Sequence, residues 1–154
     1  MDANGRGLAD LVLRWFLGMI LATAGAYKIL GLGLGGFAGY LGGRFAVTPL
    51  PGFLVAIFAY LLPFAELIAG VLLLLGWRRR PVMLATGVVF VLLAGGQFGL
   101  GYAESLAGNG QAAANAFGTA ARNGVYVLAA ALALALAGPP RLALDGRRVS
   151  EPSA

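Results

Sequence analysis

Arg14, Lys28 and Glu66 are ionisable side chains inside stretches of sequence that are mostly apolar. A charge inside a bilayer costs at least about 2.5–3.5 kcal/mol, so each needs a partner or a function. At a rise of about 1.5 Å per residue, Arg14 and Glu66 fall at a similar depth in neighbouring helices, and Lys28 lies too far away to reach Glu66. We therefore predict an Arg14–Glu66 ion pair and take these two as the candidate catalytic residues. A purely structural pair, or an Arg14 side chain that extends to the lipid headgroups, is the alternative.

A second set of polar side chains falls nearer the opposite side of the membrane. Its members are Lys28, Gln97, Tyr102, Glu104, Arg122 and Asn123. Apart from Glu104, we predict these as ligand-binding residues, because amides, a phenol and cations can all hydrogen-bond to a polar ligand. For Lys28 and Arg122 the alternative is again extension to the headgroups. The gap of roughly 10 Å between the two polar layers argues against a continuous channel.

Four apolar segments must position these side chains, at about residues 8–30, 53–75, 82–102 and 117–138. About 20 apolar residues suffice to cross the hydrocarbon core. Of the 154 residues 60% are apolar and 11% are charged, which argues against an ordinary soluble enzyme. The fold class predicted is therefore all-α: an integral membrane four-helix bundle, up-down-up-down. The sequence contains no cysteine and no histidine, so it predicts no metal site, no disulfide and no histidine general base.

The distribution of basic residues predicts the orientation of this bundle. With four alternating spans, eight arginines fall on one side, against Lys28, Arg44 and Arg122 on the other. The positive-inside rule then places both termini in the cytoplasm of a bacterium, as a multi-pass inner-membrane protein. Residues 1–138 form the single transmembrane bundle and residues 139–154 a cytoplasmic basic tail. We interpret the net charge of +5 as membrane topology rather than nucleic-acid binding. A cleaved signal peptide over residues 1–26 is the competing hypothesis.

The glycine-rich segment between the first two spans, residues 31–52, permits two interpretations. Phe37, Tyr40, Leu41 and Phe45 recur at helical spacing, so a short amphipathic helix at the bilayer interface would place them on one face. A flexible glycine loop is the alternative. Small residues also recur at packing spacing in two spans, and we expect both sets to let helices approach closely. These sets are Gly18, Ala22 and Ala26 in the first span and Gly87, Gly95 and Gly99 in the third.

Two of the spans carry a motif. The first reads Leu13-Arg14-Trp15-Phe16-Leu17-Gly18 and later Gly25-Ala26-Tyr27-Lys28. The second contains Pro63-Phe64-Ala65-Glu66, with Gly70 four residues further on and then Gly76 and a turn rich in arginine. Over roughly residues 8–102 this pattern resembles the DoxX/DoxD family of small four-helix bacterial membrane proteins. The last span matches by hydropathy alone.

The resemblance implies a quinone-linked membrane subunit of a sulfur or thiol redox system, like the membrane subunit of a thiosulfate:quinone oxidoreductase. A quinone would be the bound cofactor, Glu66 would relay a proton and Arg14 would polarise a carbonyl. The chain itself has no thiol or metal group, so it would act with a partner oxidoreductase or sulfurtransferase subunit. The lipid bilayer is the other expected partner, and a homo-oligomer is compatible with the sequence. A non-catalytic membrane scaffold or anchor is the main alternative, and a small transporter is a further one.

Overall fold

The computed structural model describes residues 3–136, and every regular element in that range is helical. Helix α1 spans Ala3–Ala26 and continues into a π-helical turn, Tyr27–Gly31. The remaining helices are α2 (Leu34–Phe45), α3 (Gly52–Leu75), α4 (Arg79–Leu106) and α5 (Gly110–Leu136). The predicted basic tail, residues 139–154, and the last two residues of the predicted fourth span lie outside the described residues.

Four helices are long and apolar enough to cross a membrane, as the hydropathy pattern predicts. They cover Gly7–Gly31, Gly52–Leu75, Arg80–Leu106 and Gly110–Leu136. Large apolar side chains cover their outer surfaces; Leu30, Leu106 and Leu128 are 84%, 73% and 69% exposed. A soluble domain rarely exposes so continuous an apolar surface, whereas a lipid-facing one does. The chain is therefore a multi-pass membrane protein, and the side on which its termini lie stays a prediction.

The last two spans are longer than predicted at the ends that meet each other. Helix α4 continues past Tyr102 to Leu106, and α5 begins at Gly110 rather than near Phe117. The first turns of α5 are rich in alanine, the strongest helix former, although their polar residues lower the hydropathy. Hydropathy therefore marked where the chain is apolar, and helix propensity decided where it is helical.

The long helices pack around one main apolar core. Its buried members are Leu17, Leu21, Leu73, Val82, Met83, Phe90, Ala130 and Ala133, from all four spans. Tyr126 of α5 adds ring contacts to two other helices, at 6.2 Å from Phe16 and 5.0 Å from Phe90 between ring centroids. These distances suit tilted and edge-to-face aromatic pairs.

The segment between the first two spans contains a helix, so the flexible-loop interpretation is wrong for residues 34–45. Helix α2 begins after Gly33, whose φ of 71° is readily adopted by glycine. It packs against α3 through Phe37 and Leu41, which are buried in a second apolar cluster. Tyr40 is 58% exposed, yet all four apolar residues line the same cavity, so they share one face of the helix.

Candidate functional site

Glu66 is 2% exposed and forms its ion pair with Lys28. The Lys28 ammonium donates to Oε1 of Glu66 at 2.6 Å and also to Oε2. The same Nζ lies 5.2 Å from the centroid of the Phe37 ring, a cation–π distance. One side chain of the first span thus contacts both α2 and α3. The predictions that Glu66 would pair with Arg14, and that Lys28 could not reach it, are wrong.

Close backbone contact between α1 and α3 explains this choice of partner. A Cβ atom added to Gly25 would lie 2.6 Å from both the Pro63 carbonyl oxygen and the Leu67 nitrogen. Gly25 is therefore level with Glu66, and Lys28 follows within one helical turn. The depth estimate instead set Leu8, the predicted start of the first helix, level with Leu75, the end of the second span. In the structure Gly18 faces Gly70 and Leu74, so α1 is displaced along α3 and the estimate placed the wrong cation beside the acid.

Lys28 lies in the π-helical turn that ends the first span. The Leu32 nitrogen donates to the Tyr27 carbonyl at 3.1 Å, a bond across five residues instead of four. Such a turn changes the direction of the side chains that follow it, and π turns recur at functional sites. Glycine at position 31 accommodates the turn, because an added Cβ would lie 2.8 Å from the Tyr27 ring.

Arg14 lies further towards the N-terminal end of α1, away from the acid with which it was predicted to pair. It is 2% exposed, and Asp10, one helical turn earlier, is 5% exposed. The spacing of four residues is the one at which opposite charges on a helix are neighbours. Sequence reasoning missed Asp10, although this spacing was visible. The proposed role of Arg14 in catalysis stays a prediction, and its position separates it from the Lys28–Glu66 pair.

A cavity of about 300 Å³ lies beside the Lys28–Glu66 pair, between all five helices. Its polar lining residues are Lys28, Glu66, Gln97, Thr119 and Asn123. Its aromatic lining residues are Phe37, Tyr40, Phe45, Phe58, Phe90 and Tyr126. Ligand sites are typically apolar cavities of this size or larger in which a few polar groups fix the orientation of the ligand. We call this space the polar cavity.

The polar cavity brings together three of the predicted ligand-binding residues, Lys28, Gln97 and Asn123. Thr119, which sequence reasoning missed, lies one turn before Asn123 on α5; that spacing on one helix face was the available signal. The Thr119 hydroxyl donates to the Asn115 carbonyl at 2.9 Å. It also accepts a hydrogen bond of 3.2 Å from Nη2 of Arg122.

The other predicted members of this set lie outside the polar cavity. Arg122 is exposed and reaches the cavity only through Thr119. Tyr102 is 60% exposed and lines a separate groove. Glu104 is buried and accepts a hydrogen bond of 2.7 Å from Nδ2 of Asn109, which closes the turn between α4 and α5. For Tyr102 and Arg122, direct binding of a ligand in the polar cavity is therefore not supported by their positions.

The chemistry available in the polar cavity is hydrogen bonding and apolar contact. Gln97 and Asn123 supply amide groups, Thr119 a hydroxyl and Lys28 an ammonium. Among residues 3–136 no cluster of histidine, cysteine, aspartate or glutamate could hold a metal ion. The lining groups suit the polar head of a small molecule that accepts hydrogen bonds.

Comparison with known proteins corrects the family assignment. The family described as methylamine utilisation protein MauE matches residues 6–137, almost the whole of the described chain. This match overturns the assignment to the DoxX/DoxD family. The charged residues that carried the resemblance are equally compatible with a different family of membrane proteins. No significant match was found among curated proteins or among solved structures. The chain is therefore a multi-pass membrane protein that belongs to the MauE family.

Proposed function

We propose that this protein binds the polar head of a small lipid-soluble molecule in the polar cavity, within a redox or methylamine-utilisation system. The observation that carries the proposal is the placement of an ion pair and two amides in the wall of an apolar cavity between membrane spans. Buried polar groups in such a setting are costly unless they are satisfied or used. The family description supplies the context of methylamine utilisation.

The ion pair leaves one donor for a ligand. An ammonium group has three N–H donors, and the two oxygens of Glu66 accept two of them. The third can polarise a ligand oxygen in the polar cavity, where low dielectric strengthens the interaction. Gln97 and Asn123 lie on the neighbouring helices α4 and α5 and can donate to the same ligand. These groups favour a molecule with two or more carbonyl or hydroxyl oxygens.

A quinone head is a member of this chemical class, since each of its carbonyl oxygens accepts hydrogen bonds. The donors that line the polar cavity support this assignment. Electrons would come from a partner protein, because the sequence has no cysteine or histidine. The Lys28–Glu66 pair would supply or accept the accompanying protons at the ligand oxygen. A partner oxidoreductase or sulfurtransferase subunit stays part of the proposal.

Equilibrium dialysis tests the proposal directly. The probe is a tail-free dimethoxy-methyl-benzoquinone, added to the full chain in lipid nanodiscs. Gln97→Leu and Asn123→Leu should each weaken binding about three- to tenfold, because one hydrogen bond contributes about 0.5–1.5 kcal/mol. Gln111→Leu is the matched control, since the Gln111 amide is exposed on α5 and bonds to Asn115. Absence of binding to the unmodified chain, or equal binding by all variants, would exclude a quinone in this cavity.

A non-catalytic scaffold is the second candidate, and one observation favours it. The Lys28 ammonium contacts Glu66 on α3 and Phe37 on α2, so a single side chain links three elements. A scaffold predicts that loss of Glu66 destabilises the bundle and that the unmodified protein binds no ligand in the polar cavity. The dialysis experiment therefore separates the two functions, because only the first gives saturable binding.

A further inference from the structure

A second and larger space lies next to the polar cavity, on the outer side of α4. It has a volume of about 770 Å³ and is bounded by the segment that follows α2 and by one face of α4. Its lining residues are Phe45, Val47, Thr48, Pro49, Leu50, Gly95, Gly96, Gly99, Leu100, Tyr102, Ala103, Leu106 and Ala107. We call this space the outer groove. Among residues 3–136 no charged residue lines the outer groove, in contrast to the polar cavity.

The two spaces share a boundary. Phe45 and Gly96 line both the polar cavity and the outer groove. A Cβ atom added to Gly96 would meet only the tip of the Phe45 ring, Cζ, at 3.7 Å. One half-buried aromatic ring and one residue without a side chain therefore form the partition between them. A rotation of the Phe45 side chain is enough to change the width of the connection, since phenylalanine turns about two side-chain bonds.

The outer groove also lies in the membrane-spanning part of the protein, where the alkyl chain of a lipid would be found. The α4 residues that line it belong to the membrane span Arg80–Leu106. Its rim carries exposed apolar side chains, with Val47 45%, Leu50 49% and Leu106 73% exposed. Gly95 and Gly99 have no atom within 4 Å of an added Cβ, so the floor of the groove is open. An alkyl chain in the hydrocarbon layer of the membrane can enter such a groove from the side without passing through water.

We propose that the ligand is an amphiphile in two parts, whose polar head occupies the polar cavity and whose alkyl or isoprenoid chain leaves past Phe45 and Gly96 into the outer groove. This inference rests on the proposed function and adds the chemical class of the substrate. The boundary that the two spaces share at Phe45 and Gly96, and the change from charged to apolar lining across it, carry the proposal. Each of the two volumes lies in the range of ordinary ligand sites, about 300–1,000 Å³.

The test compares one quinone head with and without a decyl chain, by equilibrium dialysis against the full chain in lipid nanodiscs. Gly99→Leu places a branched side chain in the outer groove, whereas Gly87→Leu adds the same side chain at another open position of α4 outside the groove. Each ligand is compared between variants, so its partition into lipid cancels. We expect Gly99→Leu to weaken binding of the tailed ligand about tenfold, equivalent to about 1.4 kcal/mol, and to leave binding of the tail-free head unchanged. Gly87→Leu should leave the binding of both ligands unchanged.

Each other outcome contradicts a stated part of this scheme. If the tail-free head binds but Gly99→Leu leaves the tailed ligand unaffected, the groove does not hold the chain, and the proposed function stands. If neither ligand binds to the unmodified protein, the proposed function and the groove assignment both fail. If decanol, a chain without the head, competes at the groove as well as the tailed ligand does, the groove is a separate lipid site and the two-part ligand is wrong.

Discussion

Glycines line two faces of this bundle, and the two faces differ in whether another helix lies close to the glycine. Between α1 and α3, Cβ atoms added to Gly25 and Gly70 would lie 2.6 Å and 2.3 Å from backbone atoms of the facing helix. On α4, Gly87, Gly95 and Gly99 have nothing within 4 Å of an added Cβ. The first face, which we call the α1–α3 seam, is closed, and the second is open.

The comparison shows that glycine spacing alone does not predict packing. The expectation of close approach holds at the α1–α3 seam, where Gly18 also lies 3.1 Å from the Gly70 carbonyl oxygen, measured from an added Cβ. It is wrong for Gly87, Gly95 and Gly99, which leave surface free. On α4 the glycine in close contact is Gly101, whose added Cβ would lie 2.9 Å from the Phe117 ring. A closed seam fixes the position of the ion pair, and an open face leaves room for a ligand.

The largest effect is expected at the charge pair beside the seam. Glu66→Leu leaves the Lys28 ammonium without its carboxylate, which should lower the free energy of unfolding by about 3–5 kcal/mol. Lys28→Met should cost a similar amount, and the double variant should recover most of the loss, because the two costs share one cause. Unfolding in detergent, followed by circular dichroism, measures all three. Additive losses in the double variant would mean that the pair is not coupled.

The next largest effect tests whether the seam is closed. Gly70→Ala introduces a Cβ into the backbone of Ala22 at 2.3 Å, and a backbone cannot rotate away as a side chain can. We expect a loss of about 3 kcal/mol, at the upper end of the usual range for overpacking. The same unfolding measurement applies, with Gly99→Ala as the matched control. Equal stability of the two variants would show that the helices are further apart than described.

A smaller effect is expected where the close neighbour is a side chain. Gly101→Ala would place its Cβ 2.9 Å from the Phe117 ring, which packs at 5.5 Å from the Phe98 ring and is partly exposed. Because this ring can move, the expected loss is about 1 kcal/mol. Adding Phe117→Leu to Gly101→Ala should restore part of the stability by removing the ring. Phe117→Leu alone has its own cost in stability. If the double variant is less stable than Gly101→Ala by that whole cost, the contact between Gly101 and Phe117 is contradicted.

The smallest effect is expected on the open face. Gly99→Ala meets no neighbour, and alanine is the better helix former, so stability should stay equal or rise by about 0.5 kcal/mol. A shift in the unfolding midpoint measures this. A clear loss of stability would indicate that α4 packs against something at this position, such as a second copy of the chain, and would remove the basis for an open groove.

Part of the candidate site could be predicted from residue type alone. Lys28, Gln97 and Asn123 were recognised because polar groups in apolar spans are rare, and the structure places all three in the polar cavity. The aromatic lining could not be recognised, since Phe and Tyr are common on lipid-facing surfaces as well. The same criteria of residue type and depth also select Tyr102 and Arg122, because depth does not specify which face of a helix a residue occupies.

The sequence by itself determined the number of spans, their approximate limits and the need of Glu66 for a cation. These properties depend on local composition, because about 20 apolar residues cross a bilayer wherever they occur. The tertiary structure decided which cation pairs with Glu66, which glycines are covered and where space remains. Those outcomes depend on how far one helix slides along another, and that displacement is set by backbone contacts such as Gly25 with Pro63 and Leu67. A slide of about four helical turns, the separation of Arg14 and Lys28, would exchange one basic residue for the other beside the same acid without changing the hydropathy of either span.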